Sequence, residues 1–200
     1  MEISMRFTNI FQRAALAGIL ASASCFATNI LTIPAATAPA GSIGNTFDIT
    51  LATTGTGLDA FSFVITSTNP GITFTSASDA TTLAYVFSGT SLFAPNLDTA
   101  NGTTLVASDL SIPPVALSAG NYGLAHIFFD VASTVAPGTY GIGFILAGTS
   151  LADGGAIVGF ETKRGSITVT SSVPEPASGL LLLGGLVAVW RFRRVSTHEN

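Results

Sequence analysis

Charge is scarce in this chain of 200 residues: only 9% are Asp, Glu, Lys or Arg, against roughly 25% in ordinary soluble domains. Seven Lys and Arg face eleven Asp and Glu, for a net charge of −4. So few cations leave no surface for neutralising a run of phosphates, which excludes nucleic-acid binding. The single cysteine, Cys25, excludes an internal disulfide and any Cys-based zinc site. No tandem repeat is visible, and no convincing helical periodicity runs between Pro34 and Val173. What is abundant is apolar: 48% hydrophobic residues, with 21 Gly, 9 Pro and 14 Phe. That composition excludes a largely disordered chain, and the length suits one domain with appendages.

The few charges are unevenly placed. Arg6, Arg13, Arg191, Arg193 and Arg194 all lie in the terminal segments, whereas residues 28–172 hold eight acids against Lys163 and Arg164. An acidic body between two basic ends implies three physical objects: 1–27, 28–172 and 173–200.

At the N-terminus, Arg6 and Arg13 precede the apolar stretch Ala14 to Phe26. That stretch is too short to cross a bilayer comfortably and ends on small residues, as a secretory signal peptide does. Cleavage is expected after Ala27, with Ala23 the second choice. Ser22, Ala23 and Ser24 lack the large aliphatic residue that precedes a lipidated cysteine, so Cys25 is expected to leave with the signal.

At the C-terminus, Val173-Pro174-Glu175-Pro176 is followed by the uncharged stretch Ala177 to Trp190, then Arg191, Phe192, Arg193 and Arg194. The prolines break any incoming strand or helix. As a helix, the stretch reaches about 21 Å at ~1.5 Å per residue, short of the ~30 Å hydrocarbon core. Local thinning, or Phe192 and the snorkelling arginines, would have to make up the difference. The positive-inside bias holds Arg191, Arg193 and Arg194 on the cytoplasmic side, with Trp190 at the interface, and so places the body outside the cytoplasm. This order of parts resembles the PEP-CTERM sorting signal of exported Gram-negative proteins. The resemblance implies recognition by an exosortase, a membrane-embedded cysteine protease that cuts near the Pro-Glu-Pro motif. It implies anchoring in the inner membrane before processing, then a cell-surface or extracellular location.

From Thr46 to Ser172 the pattern has period two, with β-branched and aromatic residues bounded by Gly, Pro, Asn and Asp. Phe47, Ile49 and Leu51 form one apolar face, and Phe61, Phe63 and Ile65 another. Further strands are expected at 72–76, 83–88, 103–108, 124–131, 139–147 and 166–170, with a short helical turn near Asp79 to Leu83. In 124–131 the alternation puts Ala125, Ile127, Phe129 and Val131 in the core, with Leu124, His126, Phe128 and Asp130 opposite. Tyr140, Ile142, Phe144 and Leu146 would pair with that core face across a sheet. Turns are expected at Asn69-Pro70-Gly71, Asn101-Gly102, Pro137-Gly138 and Asp153-Gly154-Gly155. Asn101-Gly102-Thr103, formally a glycosylation sequon, reads as a turn in a bacterial chain. Eight or nine short strands imply an all-β sandwich, flanked by an N-terminal signal helix and a C-terminal short transmembrane helix.

Three segments carry a second resemblance: Gly44-Asn45-Thr46-Phe47-Asp48-Ile49, Leu58-Asp59-Ala60-Phe61-Ser62-Phe63, and Gly123-Leu124-Ala125-His126-Ile127-Phe128-Phe129-Asp130-Val131. With Pro137-Gly138-Thr139-Tyr140 and Gly165-Ser166-Ile167-Thr168-Val169, they resemble a cohesin-type domain, an immunoglobulin-like or jelly-roll sandwich akin to bacterial carbohydrate-binding modules. The resemblance implies a protein-interaction role and assigns no binding residues.

Residues that carry chemistry are few. A Ser or Cys nucleophile needs a base, and the body holds only His126, among apolar neighbours. Asp48, Asp59, Asp79, Asp98, Asp109, Asp130, Asp153 and Glu161 show no spacing that singles out a catalytic pair. Asp98 with Asp109, or Asp153 with Glu161, would need to be brought together to hold calcium, and no EF-hand loop is present. Gly141-Ile142-Gly143 lacks the P-loop lysine and reads as close sheet packing. Tyr85, Phe87, Phe93 and Tyr122 would have to be exposed to stack on sugars. The expectation is a non-enzymatic protein without cofactor or metal, whose partners are an exosortase, the membrane, and an extracellular protein or polysaccharide.

Overall fold

The computed structural model describes residues 28–92, 96–99 and 102–171, with only the backbone described for 96–99. Thirteen strands occur in chain order: β1 (Asn29–Thr32), β2 (Ala35–Pro39), β3 (Asn45–Thr53), β4 (Thr56–Ser67), β5 (Ile72–Ser78), β6 (Asn96–Thr99), β7 (Thr104–Leu117), β8 (Gly120–Val131), β9 (Gly138–Phe144), β10 (Ser150–Asp153), β11 (Ala156–Val158), β12 (Glu161–Lys163) and β13 (Gly165–Thr170). The smaller sheet has the order β12-β1-β3-β8-β5. In the larger sheet β7 takes one edge of β4 and carries β6. β10 and β9 share the other edge of β4, at Ala60–Ser62 and Ile65–Ser67, and β13 and β2 continue beyond β9.

The sandwich follows from alternation. Along β3, Phe47, Ile49 and Leu51 are buried while Asp48 and Thr50 are only partly buried; along β4, Phe61, Phe63 and Ile65 are buried between Ser62, Val64 and Thr66. The two inner faces meet in one core with Ile127, Phe129, Leu105, Leu151 and Ile167. Its rings interlock: Phe61 stacks on Phe63 and Phe87, and Phe47 lies 5.7 Å from Phe129. With each apolar row covered by the other sheet, burial at roughly 25 cal/mol per Å² supplies the main stabilisation.

The strand count exceeds eight or nine because β1, β2, β6, β10, β11 and β12 have three to five residues each, too short to show a period on their own. Leu124, read as outward, is fully buried. The register shifts between Ile49, which pairs Ala125, and Thr50, which pairs Gly123. Leu124 is the extra residue of that bulge, and a bulge reverses the facing of the chain beyond it. Residues 83–88 form no strand. Ala84 and Val86 bond to Gly123 on either side of one isolated bridge at Tyr85, and the chain then turns. Gly123 permits this crossing, since a Cβ there would meet the Thr81 hydroxyl at 2.1 Å. The helical turn expected at Asp79 to Leu83 is absent, and a 3-10 turn instead occupies Leu146–Gly148, overlapping the end of the strand expected at 139–147. β8 and β9 lie in opposite sheets, so their apolar rows do not pair within a sheet: Ile142 is buried and Leu146 is 63% exposed. The turn at Asp153-Gly154-Gly155 is present, with positive φ at both glycines, which joins β10 to β11.

Candidate functional site

Five of the seven large hydrophobic residues that stand exposed among the described residues belong to the larger sheet or its connections: Leu92, Ile112, Ile145, Leu146 and Ile157. Register places one of them, Ile157, at the end of an apolar row. Ile157 of β11 pairs Ala152 of β10, Ala152 pairs Ala60 of β4, and Ala60 pairs Leu110 of β7. Because their neighbours Leu151 and Phe61 are buried, these four share the outer face and form an apolar row across four strands. Leu92 extends it by donating its amide to the Leu110 carbonyl at 2.9 Å. Beside the row, β7 bulges: Leu58 pairs Val115 and Ala60 pairs Leu110, so Ile112–Pro114 bow outward while Ser111 stays buried. Ile112, 64% exposed, precedes a cis bond to Pro113 there, and the Ser111 hydroxyl lies 2.7 Å from Thr90 Oγ1. This apolar row beside a prolyl bulge is the candidate surface of the larger sheet. Sequence reasoning missed it, because each strand contributes only one of these residues.

Behind this face sits a buried polar node. Asp109, 4% exposed, shares the inner face with its β4 partner Phe61. Its Oδ2 accepts the Tyr85 hydroxyl at 2.5 Å and the Ser91 hydroxyl at 2.6 Å, and its Oδ1 accepts the Leu110 amide at 2.7 Å. Burial, then the adjacent Asp109 carboxylate, with the charge of Asp79 adding, pushes the Tyr85 phenol well above its ordinary value. The node ties the 79–92 segment, which leaves the smaller sheet at β5, to β7 of the larger one.

On the outer face of the smaller sheet, Asp48 of β3 pairs His126 of β8 in register. The carboxylate Oδ1 lies 2.5 Å from His126 Nδ1, and Oδ2 accepts the Thr82 amide at 2.7 Å and the Thr82 hydroxyl at 2.5 Å. Phe128 stands edge-on to the imidazole at 4.9 Å. Burial raises the Asp48 pKa, but the Thr82 hydroxyl, the Thr82 amide and His126 together outweigh it, and Asp48 ionises below its ordinary value of 3.8. His126 is the partly buried sheet-face residue that the alternation predicts, with Asp48 as an unforeseen partner. Because the depressed value belongs to the folded state, the unfolded chain binds more protons at acid pH. The Asp48 contribution is therefore complete above pH ~4 and lost as the pH falls through the lower folded value. Urea unfolding between pH 2 and 6, a window set by the unperturbed carboxylate range, should show a steeper acid loss in the wild type than in Asp48→Asn. Identical slopes would refute the assignment.

The remaining candidates stay apart. Asp153 lies over Gly57 in the larger sheet while Glu161 is exposed on β12 of the smaller one, and Asp109 is committed to Tyr85 and Ser91. Among the described residues no group of three or more His, Cys, Asp or Glu is placed to hold a metal. Tyr85 and Phe87, weighed as sugar platforms, are buried, and Tyr122 is half-buried against the core. Gly141 and Gly143 lie on a strand beneath Thr68 and Arg164. Ala23, Cys25 and Ala27, Phe93 and Asn101, and Val173, Pro174, Glu175, Pro176, Trp190, Arg191, Arg193 and Arg194 lie outside the described residues, as do the signal and transmembrane segments. No helix among the described residues is long and apolar enough to cross a membrane.

Comparison with known proteins bears on both the tail and the body. Residues 172–194 match the model of the PEP-CTERM protein-sorting motif. No curated protein matches the sequence. Among solved structures, the body is similar to the seventh ScaB type I cohesin of Pseudobacteroides cellulosolvens, at 16% identity and TM-score 0.56, covering 74% of this chain and 95% of that one. It is similar to a non-cellulosomal cohesin of the hyperthermophilic archaeon Archaeoglobus fulgidus, at 15% identity and TM-score 0.55, covering 72% and 92%. A third is the ScaC cohesin of Acetivibrio cellulolyticus, solved in complex with the ScaB dockerin, at 17% identity and TM-score 0.54, covering 72% and 99%. The body has the cohesin fold, and the chain carries a PEP-CTERM sorting motif.

Proposed function

We infer, from a cohesin-like sandwich that carries a PEP-CTERM sorting motif, that this chain is an exported, non-enzymatic surface protein whose body docks another protein. The observation that carries this reading is the coincidence, in one chain, of the motif at residues 172–194 with a body of cohesin fold. An N-terminal signal ending at Ala27 directs export. The apolar segment and the Arg191, Arg193 and Arg194 cluster hold the chain in the inner membrane, and an exosortase acting near Val173 to Pro176 passes the body to the cell surface or extracellular matrix. The three units are 1–27, 28–172 and 173–200. The Ile157–Ala152–Ala60–Leu110 row is the docking face that the geometry favours, since apolar area at a patch centre contributes most to association.

Co-expression with an exosortase, followed by mass determination of the C-terminus, tests the sorting half. A new terminus near Pro174 to Pro176 is expected, and an intact tail would sink it. For the docking half, captured envelope proteins should be lost from the Ile157→Asp variant while Ile30→Asp, on the outer face of the smaller sheet, retains them. Equal capture by the two would move the site elsewhere.

A carbohydrate-binding module of the envelope is the alternative. The outward Phe128 beside His126 is the aromatic feature it would use. Retention on insoluble polysaccharide, abolished by Phe128→Ala, would favour this alternative.

A further inference from the structure

We propose that, before its tail is processed, the sandwich stands end-on against the membrane that the tail enters, with the Ile43 turn in the lipid interface. The proposal rests on the sorting reading above and adds to it an orientation and a lipid contact.

Chain geometry supplies the first argument. β13 ends at Thr170, in register with Pro39, and the Thr170 carbonyl accepts the Ala40 amide at 2.9 Å. The chain therefore leaves the body beside the 40–44 turn. From Thr170 to the start of the apolar segment at Ala177 there are seven peptide steps, at most ~24 Å of extended chain. The headgroup layer takes ~5–7 Å of that reach. The nine residues of β3 span ~30 Å between the two ends of the sandwich. At the far end Thr28 begins the body, its amide bonded to Thr54 Oγ1. Only the exit end is within easy reach of lipid, and a retained signal ending at Ala27 would pull the opposite end to the same surface.

Surface chemistry supplies the second argument. The described loop residues at the exit end, 39–44, 68–71, 102–103, 132–137 and 171, contain no charged side chain. Yet residues 28–172 carry eight acids and two bases. The carboxylate beside this end, Asp130, is engaged by the Gly44 amide at 2.7 Å. Ile43 is 83% exposed, the most exposed large hydrophobic residue among those described, and Pro39, Pro70 and Pro137 are exposed around it. An acidic body facing anionic lipid is repelled least at an end whose loops carry no acid, and here the one adjoining carboxylate is held by the Gly44 amide beside a protruding isoleucine. A single isoleucine binds lipid only weakly, so the contact depends on the tethering tail, which holds the turn at high effective concentration. Processing then releases the body.

The test uses the exported full chain from a host without an exosortase, in a Cys25→Ser background. It is reconstituted into phosphatidylethanolamine/phosphatidylglycerol vesicles containing nitroxide-labelled lipid. A fluorophore is placed on Ile43→Cys or, at the opposite end, on Ala119→Cys, and quenching of Trp190 is read in unlabelled samples. Quenching several-fold stronger at position 43 than at 119 is expected. Equal quenching at the two positions, with Trp190 quenched, overturns the orientation while leaving the sorting reading intact. Unquenched Trp190 overturns the sorting reading and the orientation with it.

Discussion

Phe129→Ala should lower the unfolding free energy by ~3–5 kcal/mol, the cost of emptying a fully buried phenyl site. Phe129 is 0% exposed, in register with Asn45 on β3 and Phe74 on β5, with its ring against Phe47. Three strands of the smaller sheet therefore border the cavity, and none can close in without losing its ladder. With Cys25 the only cysteine, no disulfide is available to offset the loss by restraining the unfolded chain. For a body of this size the midpoint of thermal unfolding should fall by roughly 10 °C. The control is the adjacent Phe128, outward and half-exposed, whose replacement by alanine should cost at most about 1.5 kcal/mol. Urea unfolding of the two variants decides the matter: comparable losses would mean that the inward and outward faces of β8 are misassigned.

Asp109→Ala is the second large effect, expected at ~3 kcal/mol or more, because the variant leaves a buried phenol without its acceptor. Tyr85→Phe removes the donor and leaves Asp109 with the Ser91 hydroxyl and the Leu110 amide, so it should cost less, about 1–2 kcal/mol. In the double variant the two losses should fall short of additivity by ~1 kcal/mol or more, as contacting partners do. Strict additivity would show that the node is no energetic unit. The node also predicts alkaline sensitivity. The Tyr85 phenol ionises later in the folded protein than in the unfolded chain, whose value is 10.0. Stability from this group is thus complete below pH ~10 and declines above it as the unfolded chain releases its proton. Tyr85→Phe should flatten that alkaline limb.

Much of this was legible in the residues because period two is a local property. The rows Phe47-Ile49-Leu51, Phe61-Phe63-Ile65 and Ala125-Ile127-Phe129-Val131 each declare their buried face within one strand, and all three are buried. The sorting motif was legible for a similar reason: its parts are contiguous and chemically distinct.

What the sequence by itself determined, then, is the all-β class, the inward faces of the long strands, and the PEP-CTERM sorting motif at residues 172–194. Tertiary structure alone decided which strands share a sheet, the bulge that turns Leu124 inward, and the partners of Asp48 and Asp109. It alone decided that Ile157, Ala152, Ala60 and Leu110 stand in one row. The physical reason is range: alternation acts between neighbours along the chain, whereas register joins residues such as Asp48 and His126, 78 positions apart, through a ladder that no single strand encodes.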